Sequence, residues 1–316
     1  SDYTTKTEII SESNKTSRMN WWTVEYGLMG SLENPKIFGA GLLSSLSESQ
    51  NCLSSAVKKI WLSLDCVDRT YDITKPQPQL YVARDVAHLV SVLEDLENTM
   101  AFKKGGAYGL DLAVKGRTVN TVELSSGVQV SGVLTEFLNE CDRVDFIKFS
   151  GPTQISFDDN ELPNQGISHH PEGFSSPIGN VVGISEKDPA NFTQTDLKKL
   201  GLVKGEQCVL DFVSGFKVEG NLVDIQYRNG NLILMKWRQC TVSRQDTIFF
   251  SPEWGDFDMV VGAEIPSVFG GAADQEKYGL GDVGQATTKP GRTSPYSDKE
   301  KHSFSLYARL RALREE

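Results

Sequence analysis

Val122-Glu-Leu-Ser-Ser-Gly-Val-Gln-Val-Ser-Gly-Val-Leu134 and Leu210-Asp-Phe-Val-Ser-Gly-Phe-Lys-Val-Glu-Gly-Asn-Leu222 are one pattern written twice, 88 residues apart. Each alternates apolar and polar residues about a Ser-Gly turn, which predicts a strand, a tight turn and a second strand. The same offset carries Phe146-Ile-Lys-Phe149 onto Leu234-Met-Lys-Trp237, and Thr153 onto Thr241. One offset held across both segments makes chance a poor explanation. Each unit therefore predicts strand, turn, strand, longer hairpin, strand. That is the pattern of a small, strongly bent antiparallel barrel of SH3-like size, which covers its own edges.

Working outward, the spacing of Trp21, Val24, Glu25 and Leu28 predicts a helix over 18–31, and Leu53 to Leu62 a second short one. Pro76 and Pro78 precede Leu80-Tyr-Val-Ala83, an edge-strand signal. Val86, Leu89, Val90, Leu93, Leu96 and Met100 form a helical apolar stripe. At Lys103-Lys-Gly-Gly106 the apolar period drops towards two. The division expected is a disordered polar leader over 1–17, mainly helical material over 18–101, a first β unit over 102–160 and an insertion over 161–200. The insertion carries His169-His170 and a short helix from Thr193 to Leu200, with Gly201 at its end. A second β unit over 201–278 and a linker with a terminal amphipathic helix over 279–316 complete the chain. The fold class expected is α+β: a helical piece, two SH3-like antiparallel barrels and a terminal helix.

With 32 Lys and Arg against 42 Asp and Glu, the formal charge is −10 and no basic stripe offsets it, which argues against a nucleic-acid partner. No apolar run approaches the length of a membrane span. The five cysteines are odd in number and never spaced C-x-x-C, as in a cytoplasmic protein with reduced thiols. Phe269-Gly-Gly-Ala-Ala273 has neither a P-loop nor a dinucleotide pattern and reads as a tight turn.

The stretch Trp21-Trp-Thr-Val-Glu-Tyr-Gly-Leu28, followed by Phe38-Gly-Ala-Gly-Leu-Leu-Ser-Ser45, resembles the end of the catalytic domain of the pterin-dependent aromatic amino acid hydroxylases. Tyr71 to Ala83 resembles the segment that closes that domain. The resemblance implies an Fe(II)- and tetrahydropterin-dependent monooxygenase acting with O2 on an aromatic amino acid, phenylalanine first. It implies that Glu25 is an iron ligand and that Ser44 is placed to bond an iron-ligating histidine beside the substrate. Trp21 and Gly41 correspond to residues lining the substrate pocket. Asn20 stands where the family often has a pterin-facing tyrosine, so the pterin-binding residues are left unassigned.

In that family two histidines upstream of the glutamate complete the iron site. Here His88, His169, His170 and His302 all lie downstream of Glu25, and none has the family spacing. A lone carboxylate holds no transition metal well, and adjacent histidines in a polar loop read as solvated. The expectation is therefore the C-terminal portion of a larger hydroxylase, inactive alone and binding neither iron nor pterin. The second reading is a non-catalytic scaffold, oligomerisation or regulatory module built on the duplicated β region. The dense apolar content of residues 18–62 predicts docking on the β region or on a second copy, or else poor order.

Overall fold

The structure, a computed structural model, describes residues 11–279 apart from Ser45 and Asp142. It has two compact units, residues 1–273 and 274–316. The second contributes one described turn of helix, Gln275–Tyr278, capped by the Asp274 side chain. The expected terminal helix over 298–314 lies outside the described residues.

The N-terminal third of the first unit is a mixed α/β layer, not a helical remnant. Helix α1 (Glu12–Asn20) starts inside the expected leader, with Ser11 Oγ accepting from the Asn14 amide. A five-residue π turn, Trp21–Glu25, follows. Then come β1 (Leu28–Gly30), β2 (Pro35–Ile37), α2 (Ala40–Leu43), α3 (Leu46–Asn51), β3 (Lys58–Trp61), β4 (Gln79–Ala83) and α4 (Val86–Glu97). The sheet order is β2-β1-β4-β3, with β4 parallel to both neighbours. Leu80 to Ala83 thus forms a central strand rather than an edge, and its four residues are all buried. Pro76 and Pro78 fall before the strand, where they remove no ladder hydrogen bond. Residues 58–61, expected as helix, pair with that strand instead. Trp22, Leu28 and Leu42 are buried against Leu80, Val82 and Leu96 in a core of this layer's own, while Phe38, Leu43 and Leu46 stay exposed.

Two further helices, α5 (Ala101–Lys104) and α6 (Gly106–Gly116), occupy what was expected to open the first β unit. They pack on its sheet through Ala101, Leu110 and Ala113. Gly109 is required there, because a Cβ would come within 2.8 Å of the Val268 side chain.

The first repeat comprises β5 (Val119–Glu123), β6 (Val128–Glu140), β7 (Arg143–Phe157), β8 (Asn160–Glu161) and β9 (Gly173–Pro177). After the short helix α7 (Gln194–Lys199), the second comprises β10 (Gln207–Asp211), β11 (Phe216–Arg228), β12 (Asn231–Arg244), β13 (Thr247–Phe250) and β14 (Phe257–Val260). A last strand, β15 (Ser267–Gly270), returns to pair with β5. The starts of β10, β11 and β12 each lie 88 residues after those of β5, β6 and β7. Register agrees in detail. Irregularities at Ser131/Val133, Leu134/Glu136 and Leu138/Asn139 recur at Glu219/Asn221, Leu222/Asp224 and Gln226/Tyr227, so the long strands bend at the same places. The closing strand also recurs: Phe149 pairs with Phe174 as Trp237 pairs with Phe257.

Neither repeat closes. The sheets run β15-β5-β6-β7, with β8 and β9 on β7, and β10-β11-β12, with β13 and β14 on β12. They are half-barrels, which corrects the expectation of two closed SH3-like barrels. The physical reason is an exchange of core residues. Phe146 of the first repeat is buried in the second repeat's core, stacked on Phe216 with centroids 5.2 Å apart. Leu234, its counterpart in the second repeat, is buried in the first repeat's core with Ile233 and Val260. Each open sheet is covered by its copy, so closing strands are not needed to remove its apolar face from water.

Candidate metal centre and the Glu25 pocket

Glu25 ends the π turn. The Tyr26 amide donates to the Trp21 carbonyl at 2.8 Å, five residues back, and this widened turn sets the direction of the carboxylate. The neighbouring chain is pinned by the Phe38 and Gly39 amides, which both donate to the Gly27 carbonyl. The structure brings Gly41 against Glu25: a Cβ at Gly41 would lie 3.2 Å from Glu25 Oε2 and 3.0 Å from Tyr26 Cε2. Trp21 is stacked between Tyr26 and Tyr71, with centroids 4.3 and 4.2 Å away. Ser44 Oγ donates to the Gly41 carbonyl at 2.6 Å, at the end of α2. Glu25, Trp21 and Gly41 thus gather around Tyr26, and Ser44 joins them through Gly41. Burial, with help from Glu48 and Glu25, pushes the Tyr26 phenol up from its ordinary value.

The histidines expected to be solvated are elsewhere engaged. His169 Nε2 lies 3.0 Å from Asp258 Oδ2. His170 Nε2 lies 2.8 Å from Gln165 Oε1 and 3.7 Å from the same Asp258 oxygen. Gln165 is fully buried and donates through Nε2 to Asp258 Oδ2 at 3.0 Å. Lys236 approaches the other Asp258 oxygen at 3.7 Å. The His169 and His170 amides turn back to the Gly166 carbonyl, and the His170 carbonyl accepts from the Thr153 amide of β7. These bonds aim both rings at β14, where Asp258 sits in the wholly buried run Phe257–Val260.

One potential ligand atom from each of His169, His170 and Asp258 falls within 4.8 Å of the others. Two imidazoles and a carboxylate are the donor set of a facial triad, and nitrogen and oxygen donors suit iron or zinc. Burial pushes the His170 imidazole down to about 4 against the opposing pull of Asp258, so it is neutral at pH 7 and has a lone pair to give. Its contact with Asp258 is then not an ion pair. A metal would take the place of the Nε2 protons now shared with Asp258 and Gln165. The residues fit such an ion. This finding overturns the expectation of a remnant with no metal-holding histidines, inactive alone and with no cofactor of its own. The donors stand between the repeats, and Glu25 is not among them.

Among the described residues no helix is long and apolar enough to cross a membrane. Sequence comparison bears on the N-terminal part. The chain is 44% identical over 70 residues to phenylalanine-4-hydroxylase of Bos taurus, covering 22% of this chain and 16% of that protein. It is 34% identical over 94 residues to phenylalanine-4-hydroxylase of Chromobacterium violaceum, covering 26% of this chain and 32% of that one. A solved phenylalanine hydroxylase from Legionella pneumophila aligns at 30% identity over 28% of this chain and 40% of its own, with a TM-score of 0.26, too low to bear on the fold. This chain therefore spans well under half the length of the relatives it matches. Residues 8–119 match the family of biopterin-dependent aromatic amino acid hydroxylases, and it is this stretch that holds Glu25, Trp21, Gly41 and Ser44.

Proposed function

We propose that this chain forms part of an Fe(II)- and tetrahydropterin-dependent monooxygenase that hydroxylates the ring of an aromatic amino acid, with phenylalanine converted to tyrosine. The observation that carries the reading is the family match over residues 8–119, together with the way its two motifs fold against each other. Glu25 offers an anionic oxygen donor, and Gly41 leaves free the space that a side chain would take from it. Trp21, with its faces covered by Tyr26 and Tyr71, holds Tyr26 in place next to Glu25. Iron and reduced pterin together supply the activation of O2 when bound; the protein supplies position and a dry pocket.

Two places in the chain offer donors for that iron. Glu25 gives one, matching the family's ligand, and the group His169, His170 and Asp258 gives three. Ring hydroxylation and iron content should be measured side by side on the full-length protein, with Fe(II) and tetrahydropterin present. Glu25→Gln is expected to abolish tyrosine formation. If His169→Ala or His170→Ala abolishes it as well, with loss of the iron, the β-region group holds iron that the reaction needs. Full turnover in Glu25→Gln, or none in the folded protein, would sink the proposal.

A further inference from the structure

A cavity of about 660 Å³, lined in part by His170 and Asp258, opens between the two repeats. That size is typical of a small-molecule site. Its walls are aromatic: Phe146 and Phe174 from the first repeat, and Phe249, Phe250, Trp254 and Phe257 from the second. The rings are ordered against each other, with Phe250 edge-on to Trp254 at 5.7 Å and tilted on Phe257 at 4.7 Å. Trp254 rides on the single turn Pro252–Trp254 and leaves 63% of its surface exposed. A large indole so exposed at the mouth of a cavity offers a free ring face, and such faces attract cations.

The charges at the mouth point the same way. Glu136, Glu172, Asp256 and Asp258 line the cavity, with Lys148 the lining cation. Most of this is settled internally: Lys148 pairs with Glu136 at 3.6 Å, Arg238 with Asp256 at 3.2 Å, and Lys236 with Asp258 at 3.7 Å. Glu172 has no ion pair among the described residues and is exposed at the rim. One open carboxylate beside aromatic faces suits a ligand with a single positive charge. It disfavours an anion, which would meet ring faces and carboxylate alike.

We infer that this inter-repeat cavity binds a small organic monocation, an aromatic ring or alkyl group carrying one ammonium, seated on Trp254 and Phe250 with its charge towards Glu172. The site lies apart from Glu25 but adjoins the candidate metal centre, since His170 and Asp258 line it, and its test therefore reads binding without iron rather than hydroxylation. The test is titration of the full chain, without iron or pterin, with phenethylammonium, phenylacetate and benzyl alcohol, followed by calorimetry and ligand-observed NMR. Phenethylammonium is expected to bind about tenfold or more tightly than phenylacetate, a difference of about 1.4 kcal/mol. Trp254→Ala is expected to remove most of the binding, and Glu172→Gln to erase the preference for the cation while leaving the fold intact, since that side chain is exposed. Equal or tighter binding of phenylacetate would overturn the proposal. So would amine binding that survives both substitutions, as it would belong to another pocket, or the absence of saturable binding.

Discussion

Phe146→Ala tests whether the two repeats stand as one structure. Phe146 is 2% exposed, stacked on Phe216 at 5.2 Å and tilted on Phe249 at 4.9 Å, yet its own strand belongs to the other repeat. Truncating a buried phenylalanine costs about 3–5 kcal/mol through lost transfer energy and the cavity left behind. The two lost ring contacts put this site towards the upper end. At about 1.4 kcal/mol per factor of ten, amide exchange governed by opening of this core should accelerate at least a hundredfold. Because Leu234 holds the first repeat's core in the reciprocal way, the opening should be shared. Exchange monitored by mass spectrometry is expected to accelerate together in peptides from 119–157 and 207–244, while peptides from 80–97, which have their own core, keep their protection. Leu234→Ala should reproduce the pattern at about 2–5 kcal/mol. Acceleration confined to 207–244 in the first variant would show that the repeats are independent bodies and that the exchanged residues matter only to their host core.

Gly41→Ala would place a methyl 3.2 Å from Glu25 Oε2 and 3.0 Å from Tyr26 Cε2, tighter than most carbon contacts, so both side chains must shift by a few tenths of an ångström. Hydroxylation by the full-length protein is expected to fall at least tenfold, with thermal unfolding shifted little; unchanged kinetics would remove Gly41 from the pocket. At α7 the Asp196 carboxyl is held below the usual carboxylate range, first by Lys187, then by the Thr193 amide and hydroxyl. A depressed folded-state value means that its stabilisation is present above about pH 4, the unfolded value, and is lost as pH falls towards the folded one. Asp196→Asn should therefore lower the melting temperature at pH 7 and flatten its decline in acid, and an unchanged acid limb would refute this role.

The duplication is legible because it is a matter of local pattern: Ser-Gly turns, period-two alternation and one offset. Strand starts and bends follow that offset in the structure. Closure was not legible, since it depends on what covers each sheet. Phe146 and Leu234 look like ordinary inward residues of their own strands, and nothing local says that each enters the other's core. In the N-terminal layer, short apolar runs misled for a related reason. Residues 58–61 are too brief for periodicity to separate helix from strand, while 80–83 is the strand expected but lies at the centre of the sheet, where parallel pairing on both sides buries both its faces.

The site divides along the same line. The cluster around Glu25 is built from residues close in sequence, and Gly39 and Gly41 signal a close backbone approach by composition alone. The π turn that ends at Glu25 carries no such signal, because a single Tyr26-to-Trp21 bond five residues back distinguishes it from an ordinary helical turn. The histidine group is long-range throughout: Gln165 and Asp258 meet across 93 residues. One clue was present. Asp258 interrupts the apolar run Phe257-Asp-Met-Val-Val261, and a carboxylate in such a run must be exposed by alternation or bonded in the interior. The strand is buried along its whole length, so alternation does not release it. Burying an unpaired carboxylate costs more than a small domain's margin of stability allows, so Asp258 needs donors. With Lys236 adjacent in register and the imidazoles of His169 and His170 above it, that need is met, and the same convergence creates the candidate metal centre.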